Sequence, residues 1–169
     1  RVDQTGAVLS RTPVPGGAAR VARVGRAVAI ATLDGALQVL TIDEGRVGPG
    51  GRLDGIGTDL VDLFKVDGAV VVVDSGGDLI GVSLSDPSAP ELIGTSHVAD
   101  TLYALTGFGN DGFAAAGPDG IRRVDLSDLG AITAQGDHAV GNVTDVQISN
   151  GILLWAIVEG QGARAILNT

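Results

Sequence analysis

Ala69-Val70-Val71-Val72-Val73-Asp74-Ser75-Gly76-Gly77-Asp78-Leu79-Ile80-Gly81-Val82-Ser83-Leu84-Ser85 decides the fold. An aliphatic run of five residues meets a Gly/Asp turn and then a second aliphatic run. β-Branched residues favour strands, and Gly and Asp close tight turns. The stretch therefore reads as two antiparallel strands, apolar without alternation and so buried on both faces. The same pair of runs stands at residues 27–31 with 37–43, at 113–116 with 121–127, and at 152–158 with 163–169. The centres of the second runs are Leu40, Val82, Val124 and Ile166, each 42 residues after the last. No window of a dozen residues carries a helical stripe between caps.

A unit of this length holding four short strands is the size of a β-propeller blade. The expected fold is all-β, with blades of four antiparallel strands. In the second repeat the four strands are predicted at 60–64, 69–73, 79–84 and 91–94. Asp86-Pro87-Ser88-Ala89-Pro90 forms a turn, because Pro is excluded from a central strand. The blades are expected at 17–57, 58–100 and 101–141, with 142–169 incomplete and 1–16 the end of a preceding blade. That last reading follows from Arg1-Val2-Asp3-Gln4, which matches Arg123-Val124-Asp125-Leu126 and is likewise followed by a Gly and an aliphatic run. Two closures fit these ends. Residues 7–11 complete the fourth repeat in a ring of four, or the chain is an arc of a ring of roughly six to eight blades. The arc is preferred, because a duplicate third-type strand has no place in a four-bladed ring.

Leu79-Ile80-Gly81-Val82-Ser83-Leu84-Ser85-Asp86-Pro87-Ser88-Ala89-Pro90-Glu91-Leu92-Ile93-Gly94 resembles the LVIVD-type repeat of bacterial and archaeal surface β-propellers: an aliphatic strand, Ser-Asp-Pro-x-x-Pro, then an aliphatic strand ending in Gly. Val61-Asp62-Leu63-Phe64-Lys65-Val66-Asp67-Gly68 and Thr144-Asp145-Val146-Gln147-Ile148-Ser149-Asn150-Gly151 resemble its first strand and turn. The likeness is strong over the second repeat, fair over the third and fourth, and weak in the first, where residues 45–51 replace the Asp-Pro turn. It implies a propeller fold, an extracytoplasmic setting (secreted or cell surface) and binding roles, with no catalytic residues and no cofactor.

Composition removes several function classes. The chain has no Cys, which excludes a disulfide framework, thiolate metal sites and a Cys nucleophile. A net charge of −9 argues against nucleic acid as a partner, since phosphate binding needs clustered Lys and Arg. The apolar runs are far shorter than the ~18 residues that span a membrane as a helix. Asp outnumbers Glu 17 to 3, which is turn chemistry rather than helix chemistry. Charge is uneven: residues 1–52 carry seven Arg against four acids, and the remainder is strongly acidic.

The candidate binding face collects the turns between second and third strands and the links from one blade to the next. It holds Asp74, Asp78, His97, Asp119 and His138. Two His and several carboxylates can bind a divalent metal. The preferred reading is plainer: Asp caps Gly turns, the His side chains are solvated, and no metal is assigned. Asp62 and Asp145 recur at one place in an apolar strand and need a partner; a structural hydrogen bond to a loop backbone is expected. Trp155, inside an apolar run, is expected in the core. Arg20, Arg23 and Arg26 form a basic patch, solvated or acid-paired. Neither Gly48-Pro49-Gly50-Gly51 nor Gly107-Phe108-Gly109 opens a helix, so no phosphate cradle is expected. The expected function is a non-catalytic module that binds protein or a surface polymer. Further blades come from the same parent chain or another. A fragment of a propeller hydrolase or oxidoreductase with its site at the central channel is the alternative, and a structural spacer is a third reading.

Overall fold

The computed structural model describes residues 11–44, 46–149 and 153–167. The segments read above as strands at residues 1–10 lie outside these. Fifteen strands and no helix make up the described chain, and so no helix is long and apolar enough to cross a membrane. The strands form four antiparallel sheets, each in simple sequential order. The first holds β1 (Ala18–Val24), β2 (Ala27–Thr32), β3 (Leu37–Asp43) and β4 (Arg46–Leu53). The second holds β5 (Leu60–Val66), β6 (Ala69–Asp74), β7 (Asp78–Ser83) and β8 (Glu91–His97). The third holds β9 (Ala104–Phe108), β10 (Asp111–Ala115), β11 (Ile121–Asp125) and β12 (Thr133–His138). The fourth holds β13 (Val143–Ser149), β14 (Leu153–Val158) and β15 (Gly162–Leu167).

The unalternating runs earn their hydrophobicity by lying between sheets. In β6, Val70 and Val72 pack with Ala29, Leu37 and Val39 of the first sheet. Val71 and Val73 pack with Ala114 and Val124 of the third. Phe113 and Ala115 turn the other way, toward Leu154 and Ala156 of the fourth. The first strands carry the stacking, β1 against β5, β5 against β9 and β9 against β13. The 42-residue marks have a structural meaning. Leu40, Val82 and Val124 each sit at a bulge where a third strand slips against its fourth, and all three are buried. Ile166 packs toward the third sheet but stays half-buried, because β15 has no neighbour on its outer side among the described strands.

Two expectations change. Gly48-Pro49-Gly50-Gly51 lies within β4, with Pro49 opposite Leu40 at the bulge of this edge strand, where a missing N–H costs no ladder bond. Its glycines admit the neighbouring Asp-Pro turn: Gly51 N–H donates to the Pro87 carbonyl at 2.8 Å, and a Cβ at Gly51 would meet Ser88 O at 2.5 Å. Trp155 is not core. It is 43% exposed on the outer face of the fourth sheet, at the place Val71 holds in the second, and no described sheet covers it.

Candidate functional site

The turns between second and third strands are clamps. Asp74 ends β6 with its carboxylate buried and accepts from the N–H groups of Thr58 (2.7 Å), Asp59 (3.1 Å) and Gly76 (2.9 Å). Burial alone would raise its pKa; the backbone donors of Asp59, Gly76 and Thr58 outweigh this and hold it below the ordinary carboxylate value. Each sheet-to-sheet link lies on the turn beside it. Val98 N–H donates to Gly77 O at 2.9 Å, and Ile56 N–H to Gly35 O at 3.0 Å. Gly77 has φ +96°, and a Cβ there would meet Ala99 O at 1.6 Å. Gly35 and Gly120 repeat this close approach against Gly57 O and His138 O.

The other candidates are divided between two sheets. His97 and His138 occupy equivalent ends of β8 and β12, opposite Asp78 and Ile121 respectively. Only the first therefore faces an acid: His97 Nδ1 lies 2.9 Å from Asp78 Oδ1, both solvent-exposed. Asp119 lies 3.8 Å from Arg122, which also pairs with Asp137 at 2.5 Å. Among the described residues no three His, Cys, Asp or Glu side chains gather as a metal site would require. Asp74, Asp78 and Asp119 thus have intramolecular partners.

Where the first strands meet, side chains hold the next sheet. Asp62 accepts from its neighbour Leu63 N–H and from Leu105 N–H on β9, both at 2.9 Å. Thr106 Oγ1 accepts from Ile148 N–H of β13 at 3.3 Å. Asp62 therefore binds the backbone of the adjoining strand rather than a loop, whereas Asp145 accepts from its own neighbour, Val146 N–H, at 2.8 Å. Residues of all four first strands, among them Ala22, Asp62, Thr106 and Asp145, line one open cavity of about 500 Å³.

The opposite end of the sheets carries more free volume. A cavity of about 760 Å³ lies between the β5–β6 and β9–β10 turns, bordered by Phe64, Lys65, Asp67, Phe108, Asn110 and Ser127. A second, about 430 Å³, lies on the other side of the β5–β6 turn and adds Arg23 and Arg26. Both are lined by Lys65, Val66 and Asp67, so together they run across the turns of three sheets. Phe108 is 62% exposed above this furrow. Arg23 and Arg26 belong to the basic patch read from the sequence; Phe64, Lys65, Asp67 and Phe108 were not among its candidate site residues. The available signal was that two of the three Phe residues stand just before a first turn, in adjacent repeats.

No family model matches the chain, and no curated protein matches it by sequence. In structure it is similar to the computationally designed protein Ika4, with a TM-score of 0.76 and 16% identity over 95% of this chain and 96% of that one. It is also similar to the computationally designed Ika8, with a TM-score of 0.67 and 16% identity over 90% of this chain and 46% of that one. The chain thus spans about half the length of Ika8 and nearly all of Ika4. At this identity the likeness is one of fold, a repeated all-β architecture. Both are described as designed proteins and neither as an enzyme.

Proposed function

We propose that the chain is a non-catalytic β-propeller module of the LVIVD-repeat kind, acting outside the cytoplasm, and that it holds an extended segment of protein or surface polymer in the furrow across the β1–β2, β5–β6 and β9–β10 turns. The sequential order of each sheet, the stacking of first strands and the cavity common to all four support the propeller reading. The furrow carries the binding reading. It is long and open, with the exposed ring of Phe108 and Lys65 lining one of its cavities and Lys65, Arg23 and Arg26 lining the other, in an otherwise acidic protein. An aromatic platform flanked by cations suits a polymer with apolar and acidic groups; a small-molecule substrate calls for an enclosing pocket. Solvent-exposed loops on a rigid sheet scaffold are where such contacts are made.

The test is an array of acidic and neutral polysaccharides and of peptides, probed with the wild type and with Phe108→Ala and Lys65→Glu. Binding to a subset of acidic probes, weakened about tenfold or more by either substitution with the circular dichroism unchanged, is the expected result. Binding that ignores both substitutions, or no binding to any probe, overturns the assignment of the furrow.

A further inference from the structure

We propose that the open cavity lined by the first strands binds an oxyanion of two charges, phosphate or sulfate, free or as an ester. This site lies apart from the aromatic end of the furrow and goes beyond the reading above. Register supplies its walls. Ala22, Phe64, Thr106 and Gln147 lie opposite Ala29, Val71, Phe113 and Trp155, which makes them one equivalent position on the four first strands. All four line the cavity of about 500 Å³. One residue further toward the first turns, Arg23 lies opposite Val28 and Lys65 opposite Val70. These two cations come from stacked strands and line the same cavity. They also line the furrow cavity of about 430 Å³, so they stand where the inner space opens outward.

The polar side chains on this cavity select an anion. Neither Arg23 nor Lys65 has a carboxylate within ion-pair distance among the described residues. Arg23 Nε donates to Gly25 O at 3.1 Å, and its terminal N–H groups have no acid to meet. From the third sheet, Thr106 Oγ1 accepts from Ile148 N–H at 3.3 Å, so its hydroxyl proton is left to donate. From the fourth, Gln147 adds an exposed amide. Ala22 is too short to fill its place and leaves room. Two acids line the cavity as well. Asp62 stands three residues before Lys65, so alternation turns it to the other face of β5, where its two oxygens accept from Leu63 and Leu105 N–H. Asp145 accepts from Val146 N–H, and its charge opposes an anion near Gln147. Asp67 lines the furrow cavities and not this one. Two cations with neutral donors opposite suit charge spread over several oxygens. The volume exceeds that of one oxyanion, which leaves space for the group that carries it.

Calorimetric titration of the full chain with sodium phosphate, sodium sulfate and a hexose 6-phosphate, in about 0.15 M sodium chloride, is the test. Saturable binding with a Kd below about 1 mM is expected. The fluorescence of Trp155, the only Trp and the cross-strand neighbour of Gln147, should change with it. Lys65→Met and Arg23→Gln alter exposed side chains. Each is expected to weaken binding about tenfold or more, while Lys65→Arg retains it. Gln147→Leu should weaken binding about threefold, and Asp145→Asn should tighten it about threefold. Tighter binding of the hexose phosphate than of either inorganic ion assigns the site to an ester; equal or weaker binding assigns it to the free ion. No saturable binding of any probe, or binding that ignores both Lys65→Met and Arg23→Gln, overturns the site. So does weaker binding in Asp145→Asn, which would mark a cation as the ligand. A loss on Phe108→Ala as large as on Lys65→Met moves the anion into the furrow, which overturns this site and leaves the furrow reading standing. An anion that still binds here when no polymer of the array binds the furrow supports this site and sinks that reading.

Discussion

Asp74 shows how one carboxylate fastens two sheets. Its three backbone donors come from the incoming link and from its own turn. Asp74→Ala leaves these N–H groups unpaired beside a buried site, so a loss of about 2–3 kcal/mol is expected in urea unfolding. Because its folded pKa lies below the ordinary value of 3.8, its contribution is complete above that value. It is lost as pH falls through the lower, folded value. Wild-type stability should therefore drop on acidification below about pH 4, and Asp74→Asn should flatten that part of the profile. Gly77 and Gly162 separate backbone strain from crowding. Both have positive φ, +96° and +77°, but only Gly77 has a carbonyl where a Cβ would stand. Gly162→Ala should cost about 1–2 kcal/mol from conformation alone. Gly77→Ala should cost at least about 3 kcal/mol, because the link from Val98 onward must move as well. Equal losses in thermal or urea unfolding would contradict this account.

At the scale of the element, two phenylalanines in one hairpin have opposite roles. Phe113 in β10 is wholly buried between the third and fourth sheets, in a cluster with Ile121, Leu154 and Ala156. Phe108 ends β9 and is mostly exposed. Phe113→Ala is expected to cost about 3–5 kcal/mol of stability. Phe108→Ala should stay within about 0.5 kcal/mol of wild type while weakening whatever occupies the furrow. If both substitutions destabilise equally, Phe108 is a packing residue and the furrow loses its aromatic platform. The same logic of faces explains the fourth sheet. Leu154, Ala156 and Val158 of β14 face the third sheet and are buried, while Trp155 and Ile157 alternate with them and are exposed.

For the whole molecule, the net charge of −9 sets the long-range field. The cations of the furrow number too few to reverse it. No retention of duplex DNA is expected in a filter-binding assay at micromolar protein and 0.15 M salt, and tight, salt-sensitive binding would contradict the assignment of an acidic surface. Far-UV circular dichroism should show a strand spectrum without a helical minimum pair.

The all-β class, the repeat and the turns follow from the order of residues alone. Unalternating Val and Ala runs have no stable setting except between two covered sheet faces, and a Gly/Asp pair after each run forces the chain back. The same order shows the recurrence of Asp62 and Asp145, since an acid inside an apolar strand needs a partner. Which partner it finds depends on how the sheets pack. The acceptor geometry of Asp62 depends on the neighbouring strand β9, 43 residues away in the backbone bond to Leu105, and one strand's pattern carries no record of the sheet beside it. Residues 45–51 read as a turn in place of the Asp-Pro turn because Gly and Pro disfavour strands locally, yet the approach of the Pro87–Ser88 turn requires small residues in β4. The run around Trp155 reads as apolar as β6, and apolarity alone does not say whether a covering sheet is present. The furrow was illegible for the same reason. Lys65 and Phe108 are remote in sequence, and only the side-by-side stacking of sheets sets them on one wall.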